Sequence, residues 1–409
     1  MFNNDDNIVV GLEIGTSKIC AAVGELNDDG SVNLIGLGQA MSNGVRKGEI
    51  CDPDKVELEL RTAIDQAEQM ANAEIRSVFL GVTGGHVRGF NNRGNHTVLS
   101  SEHEISEDDV TDVIRNAKAI NLAAEDTVIH AMRQHFYLDG HEFLKSPVGQ
   151  GGSQLAVDMH VIHGNTMRFQ NAVRLVRTTQ LEVNEIVFNG LATALALLTP
   201  DQKELGALVI DLGAGTTEYV VYADNTIRHS GVLAVGGNHV SNDLAFGLKV
   251  PLSRAEKLKL EHGCAIVRPE SKGKVTNLTS EVGQVVKSVN IEHLQHIMSL
   301  RFEETFTIIA AELEKAGLTN YYLRAGIFLT GGGARVPGIE RLAERIFQMT
   351  VTHGHAAGIG GITTSLDQPE FATAIGLVKY GSMKQQQRAA RGGLVGTFKG
   401  LVGKFWQRD

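Results

Sequence analysis

The chain has 409 residues, more than a single hydrophobic core usually serves, so two or more domains are expected. Its 42% hydrophobic and 21% charged content is that of an ordinary soluble globular protein, and a net charge of −9 gives no footprint for nucleic-acid binding. No apolar run approaches the roughly 18 residues of a membrane-spanning helix, and the short acidic start of the chain does not read as a signal peptide.

An apolar strand at 8–12 runs into Glu13-Ile14-Gly15-Thr16-Ser17-Lys18. Apolar runs at 19–23 and 32–37, joined by a polar turn at 27–30, complete a three-strand unit. A helix follows almost at once: Asp52 suits the N-cap, Pro53 the first helical position, and Val56, Leu60, Ile64 and Ala67 share one face. After a strand at 77–83, the segment 84–163 interrupts with an amphipathic helix of its own, carrying Val110, Val113, Ile114, Ala117 and Ile120 on one side. Strand-like stretches follow at 127–137 and 155–162, and roughly 80 residues suffice for a small subdomain with its own core. A helix is expected at 167–179, a strand at 185–188, and another helix from Asn189-Gly190-Leu191-Ala192-Thr193-Ala194.

The opening unit then recurs. A strand at 207–210 meets Asp211-Leu212-Gly213-Ala214-Gly215-Thr216-Thr217, followed by apolar runs at 219–222 and 231–235 around a polar turn at 223–226. Glycines let a backbone turn tightly, so that successive N–H groups and a hydroxyl can point at one anion. Two such hairpins with matching polar chemistry suggest two halves closing on one polyphosphate. A third cluster, Gly331-Gly332-Gly333, lies between a strand at 327–330 and a helix at 338–347. It would let the backbone approach a flat base or ribose, or serve only as a tight strand–helix turn. Cys20, Cys51 and Cys264 lack metal or CxxC spacing and read as buried reduced thiols of a cytosolic protein.

In this order the three turns resemble the phosphate 1, phosphate 2 and adenosine motifs of the actin, Hsp70 and sugar kinase superfamily. The stretch 41–52 is too short for the subdomain 1B insert of actin, Hsp70 and MreB, while 84–163 stands where the FtsA family carries subdomain 1C. The resemblance to FtsA spans essentially the whole chain and is close at Ala63-Ile64-Asp65-Gln66-Ala67-Glu68, Leu329-Thr330-Gly331-Gly332 and Ala372-Thr373-Ala374-Ile375-Gly376-Leu377. It implies an α/β, actin-like fold with two lobes and 1C in place of 1B. Subdomain 1A would be 1–83 with 164–200 and 368–383, 1C 84–163, 2A 201–235 with 305–367, and 2B 236–304, followed by a linker at 384–393 and a terminal helix at 394–409.

The resemblance also implies ATP with Mg²⁺. Gly15, Thr16, Ser17 and Lys18 would contact the phosphates from one side, and Gly213, Gly215, Thr216 and Thr217 from the other. Gly331, Gly332 and Gly333 would border the nucleoside, Glu256 and Lys259 would reach the ribose and adenine, and Asp211 would organise the metal and its waters without binding it directly. From the residues alone, Asp211 could instead cap a strand-end turn, and Glu256 with Lys259, three apart, could form a solvated helix face. Two departures bear on catalysis: Glu13 replaces the Asp of actin and Hsp70, and Asn189 replaces a carboxylate that MreB-like proteins place near the attacking water. An amide cannot accept a proton as a general base would. The expectation is an ATP-binding structural protein, at most a slow ATPase, with no catalytic residue.

The function implied is that of an adaptor on the cytoplasmic face of the bacterial inner membrane. It would polymerise, tie the FtsZ ring to the membrane at the division site and recruit later division proteins, with 1C a candidate surface for them. The FtsZ C-terminal tail would dock on 2B at Lys287, Arg301 and Glu304; alternatively Arg301 and Glu304 form only an intrahelical ion pair. A PilM-like pilus assembly adaptor is the nearest alternative. A sugar kinase would need a catalytic Asp and sugar-binding carboxylates not found here, and a chaperone ATPase would need a peptide-binding domain for which little chain follows Gly381.

The last segment carries its own signal. At 100° per residue, Leu394, Val395, Phe398, Leu401, Val402, Phe405 and Trp406 fall within one arc of about 140°. Lys399, Lys404 and Arg408 flank it, and from Lys384 onward there are six basic residues and one acid. Thirteen residues make about 20 Å of helix, too short for a bilayer core of about 30 Å, so the segment is expected to lie flat on the membrane. The alternative is a tail packed on the protein's own core or left disordered, with 384–391 read as a flexible link.

Overall fold

Both copies of the strand–turn–strand unit sit at the centre of a sheet. The computed structural model describes residues 7–99, 104–143, 146–279, 285–318 and 322–405. In the first sheet the strands run in the order Glu182–Phe188, Ser77–Val82, Ile8–Ile14, Lys18–Leu26, Val32–Met41, Gly360–Gly361. In the second the order is Thr226–Leu233, Thr217–Ala223, Ala207–Leu212, Gly326–Thr330, Val351–His353. Each sheet pairs three consecutive antiparallel strands with parallel ones beyond the first, so the two lobes share one topology.

Local chemistry explains the flanking helices. Asp52 caps Pro53–Ala71 by accepting from the Lys55 amide at 3.3 Å, and Asn72 ends it in the left-handed conformation. Its Val56, Leu60, Ala63, Ile64 and Ala67 are buried against the first sheet. Among the described residues two helices lie at the junction of the lobes: Asn189–Leu197, in which every residue is buried, and the start of Ala372–Phe405. An apolar cross-lobe helix has no solvated face, which is why its sequence lacks an amphipathic pattern.

The segment 84–163 folds as a four-stranded sheet in the order Arg88–Thr97, Gln154–Asn165, Asp126–Leu138, His141–Phe143, covered by the helix Glu107–Lys118. Ser106 and Asp109 form a capping box at that helix, and Val113 and Ala117 join Phe136, Leu155, Val157, Met159 and Val161 in a separate core. The strand Arg88–Thr97 escaped the sequence reading because its Asn, Arg and Gly residues give no apolar alternation. The insert also meets the second lobe: His160 Nε2 lies 2.7 Å from Ser230 Oγ, and Gln134 Nε2 donates to the Ile227 carbonyl at 2.5 Å.

Three expectations need correction. The helix Ile291–Lys315 runs through the 304/305 boundary placed between 2B and 2A, since Glu303, Glu304 and Thr305 offer no break. Cys51 is exposed; only Cys20 and Cys264 are buried. The expected flexible link at 384–391 is helical, part of Ala372–Phe405, because Lys, Gln, Arg and Ala all favour helix. Its start is tied to the body: Lys384 Nζ lies 3.2 Å from Glu185, and Gln386 Nε2 donates to the Gly30 carbonyl at 2.8 Å.

Candidate functional site

The two hairpin turns are closed in the same way. The Gly15 amide donates to the Lys18 carbonyl at 2.9 Å and the Gly213 amide to the Thr216 carbonyl at 3.0 Å. They face each other closely: a side chain on Gly215 would collide with the Thr16 hydroxyl and with Lys47. Only glycine allows this approach. Between the lobes lies a cleft of about 530 Å³, lined by Gly15, Thr16, Ser17, Lys18, Asp211, Gly213, Gly215, Thr216, Glu256, Lys259, Gly331, Gly332 and Gly333. Every cofactor residue expected from the sequence is thus brought together except Thr217. Its buried hydroxyl donates instead to the Val235 carbonyl at 2.9 Å, as befits a strand residue pointing away from the turn.

One end of the cleft is charged. Lys18 Nζ lies 2.9 Å from Glu13 Oε2 and 5.7 Å from the centre of the Phe371 ring. Burial alone would lower the Lys18 ammonium, but Glu13 outweighs it and holds the group above its ordinary value. Asp211 Oδ2 accepts from Thr193 and Thr373, each at 3.0 Å, and Gly331, at φ +78°, packs against Oδ1 so closely that no Cβ would fit. Burial, then Glu13, pushes the Asp211 carboxyl up. Glu218, which the sequence reading missed, is buried beside it and accepts from the Thr83 hydroxyl; burial, then Asp211, pushes it up as well. A carboxylate one residue past a glycine-rich turn, on the strand face opposite Thr217, was the available signal. Asn189 lines the same end, and its buried Oδ1 has no hydrogen-bond partner among the described residues.

The other end is mixed. Leu260, Phe302, Val336 and Pro337 supply apolar surface, and a Cβ on Gly332 would meet nothing within 4 Å. Lys259 Nζ donates to Ser241 Oγ at 2.9 Å and to the Gly237 carbonyl at 3.2 Å, and pairs with Glu256 at 2.7 Å. On the helix Leu252–His262 the Lys259 side chain is thus largely buried, while that of Glu256 is 42% exposed. Arg335 and Glu370 pair through two 2.9 Å bonds at the rim. The volume lies within the roughly 300–1,000 Å³ of small-molecule sites, and a glycine-lined end bearing the Lys18 ammonium, together with an apolar end, fits a nucleoside polyphosphate.

The residues expected to hold a partner peptide are engaged within the chain. Arg301 pairs with Asp243 at 2.5 Å and with Glu304 at 2.5 Å. Lys287 Nζ donates to the Leu248 carbonyl at 2.6 Å and the Lys249 carbonyl at 3.3 Å, capping the helix Gly237–Leu248. Beside them Phe246 is 89% exposed and Leu300 53%. Leu394, Val395, Phe398, Leu401, Val402 and Phe405 belong to the helix Ala372–Phe405; Trp406 lies outside the described residues. Among the described residues no helix is long and apolar enough to cross a membrane.

Comparison with known proteins places this geometry. The family model described as "Cell division protein FtsA" matches residues 208–376, and that of the "SHS2 domain inserted in FTSA" matches 84–163. The cell division protein FtsA of Pseudomonas aeruginosa is 34% identical over 378 residues, covering 92% of this chain and 90% of that protein. Among solved structures, a PilM–PilN type IV pilus biogenesis complex matches with a TM-score of 0.65 at 16% identity, over 91% of this chain and 98% of the other. MreB 5 of Spiroplasma citri bound to AMPPNP matches with a TM-score of 0.56 at 15% identity, over 95% and 100%. The fold is therefore the actin-like one.

Proposed function

The chain belongs to the FtsA family of cell division proteins, and from that premise we propose that it binds MgATP in the inter-lobe cleft, self-assembles, and ties the FtsZ ring to the cytoplasmic face of the inner membrane. The observation that carries the nucleotide part is the convergence of three glycine turns, Lys18 and Asp211 on one cleft that ends in an apolar pocket. That an MreB of the same fold has been solved with AMPPNP supports it. Lys18 and the two turns would hold the phosphates, Lys259 and Glu256 would reach the ribose and base, and Asp211 would organise the magnesium through its waters. Bound magnesium would supply charge neutralisation to the phosphates.

Turnover is slow in this proposal, because Asn189 and Glu218, the groups beside Asp211, are poor proton acceptors. Asn189 carries an amide, and Glu218 is held toward its protonated form by burial and by Asp211. The protein therefore acts as an ATP-loaded structural element. Its terminal segment is the membrane anchor: Leu394 lies eight residues, or about 12 Å of helix, beyond Gln386, which bonds to the body of the protein. One anchor binds weakly, and a polymer binds firmly through avidity. The FtsZ tail docks beside Phe246 and Leu300, where Arg301 exchanges Asp243 or Glu304 for a peptide carboxylate. Recruitment of FtsZ to anionic vesicles tests the whole proposal. FtsZ should pellet with vesicles only when this protein and MgATP are present, and FtsZ left in the supernatant in their presence would refute it.

A further inference from the structure

Asp211 is gripped from two directions. Thr193 Oγ1 and Thr373 Oγ1 each lie 3.0 Å from Asp211 Oδ2, and the two hydroxyls are 2.9 Å apart. All three side chains are buried, Thr193 completely. The threonines come from different helices, Asn189–Leu197 and the first turn of Ala372–Phe405, both at the junction of the lobes. These helices cross in backbone contact, since a Cβ on Gly376 would strike the main chain of Ala192.

The hydrogen count defines what this triad does. Each hydroxyl has one hydrogen, so an ionised Asp211 can draw both onto Oδ2. The two bonds then orient the carboxylate and leave Oδ1, which lies beside Gly331, as the oxygen that no hydroxyl engages among the described residues, on a side chain that lines the cleft. Hydrogen bonds to a charged acceptor are the strong kind, and losing a partner that orients a metal-site group typically costs about 10–100-fold in metal affinity. Resting on the assignment of the cleft to MgATP, we propose that Thr193 and Thr373 are positioning residues that aim Asp211 at the metal's water shell.

The test is the ratio of ATP affinity with Mg²⁺ to ATP affinity in EDTA, measured by calorimetry on the full-length protein. Valine keeps the shape of threonine and removes the hydroxyl. The double variant T193V/T373V should lose about 10–100-fold of that ratio while metal-free affinity changes little. T193S/T373S, which restores both hydroxyls, should recover it. A merely structural role would lower both affinities together, and an unchanged ratio in the valine variant overturns the proposal. If the double variant fails to fold, T193V and T373V are measured singly, each with a partial loss expected and an unchanged ratio again decisive. Failure of the parent protein to bind ATP at all would instead defeat the assignment of the cleft, and this proposal with it. A parent that binds ATP with no gain from Mg²⁺ overturns the positioning role alone.

Discussion

Two glycine-to-alanine substitutions should move stability in opposite directions. Alanine is favoured over glycine inside a helix by about 1 kcal/mol, so either change would stabilise if propensity alone decided. At Gly376 it does not decide, because the new Cβ would lie 3.1 Å from Ala192 Cα and closer still to its carbonyl. The obstacle is backbone on a helix whose every residue is buried, so it cannot rotate aside, and the helices must separate. Overpacking costs typically about 1–3 kcal/mol; taking the upper part, about 2–3, because the obstacle is main chain, leaves Gly376→Ala destabilised by about 1–2 kcal/mol net. At Gly247 the Cβ would meet only the tip of the Ile297 side chain, at 2.7 Å, which can swing away. Gly247→Ala should therefore be neutral or gain up to about 1 kcal/mol. Thermal and urea midpoints of the two variants, without nucleotide, decide between them. A Gly376→Ala protein as stable as the parent would refute the tight helix crossing and weaken the case for a rigid node at Asp211.

Other consequences are equally direct. Deleting the residues after Arg391, or combining Phe405→Glu with Trp406→Glu, should abolish pelleting with anionic vesicles while calorimetry still detects ATP binding. Arg301→Glu sets a third acid beside Asp243 and Glu304, and should weaken binding of the FtsZ C-terminal peptide by more than the roughly 1 kcal/mol of a rim ion pair, as read by fluorescence anisotropy. His130 and His160 are buried, and burial lowers them to about 4 and about 3. Below pH 6.5 the unfolded chain binds protons at these positions that the folded protein refuses. Their contribution is thus intact above about 6.5 and lost as pH falls toward about 4 for His130 and about 3 for His160, by at most about 1.4 kcal/mol per pH unit for each histidine. The unfolding midpoint should drop more steeply between pH 7 and 5 in the parent than in His160→Gln; equal slopes would remove His160 from the account.

Much of the architecture was legible because it repeats. The two turns announced themselves through matched glycines, and the flanking strands through apolar runs that become buried central strands. Asp52 and Pro53 marked a helix start because caps act locally, within the first turn. What stayed hidden depends on partners distant in sequence. Glu218 reads as one more polar residue on a strand until folding buries it beside Asp211. The Asp211 triad unites residues 193, 211 and 373, which no local pattern connects. Lys287 and Arg301 carried charge in the expected places, but only the fold reveals that they already serve the Leu248 carbonyl and Asp243. Thr217 belonged to the glycine motif by position, yet strand alternation turns it away from the cleft.

In the proposed function, nucleotide in the cleft drives assembly, and assembly makes a weak membrane anchor firm. Sedimentation of the full-length protein with anionic vesicles, with MgATP and after nucleotide removal, tests it directly. The pelleted fraction should rise sharply with protein concentration in MgATP, remain low without nucleotide, and stay low in Asp211→Ala under both conditions. Pelleting that is identical with and without ATP, or that Asp211→Ala leaves unchanged, would contradict it.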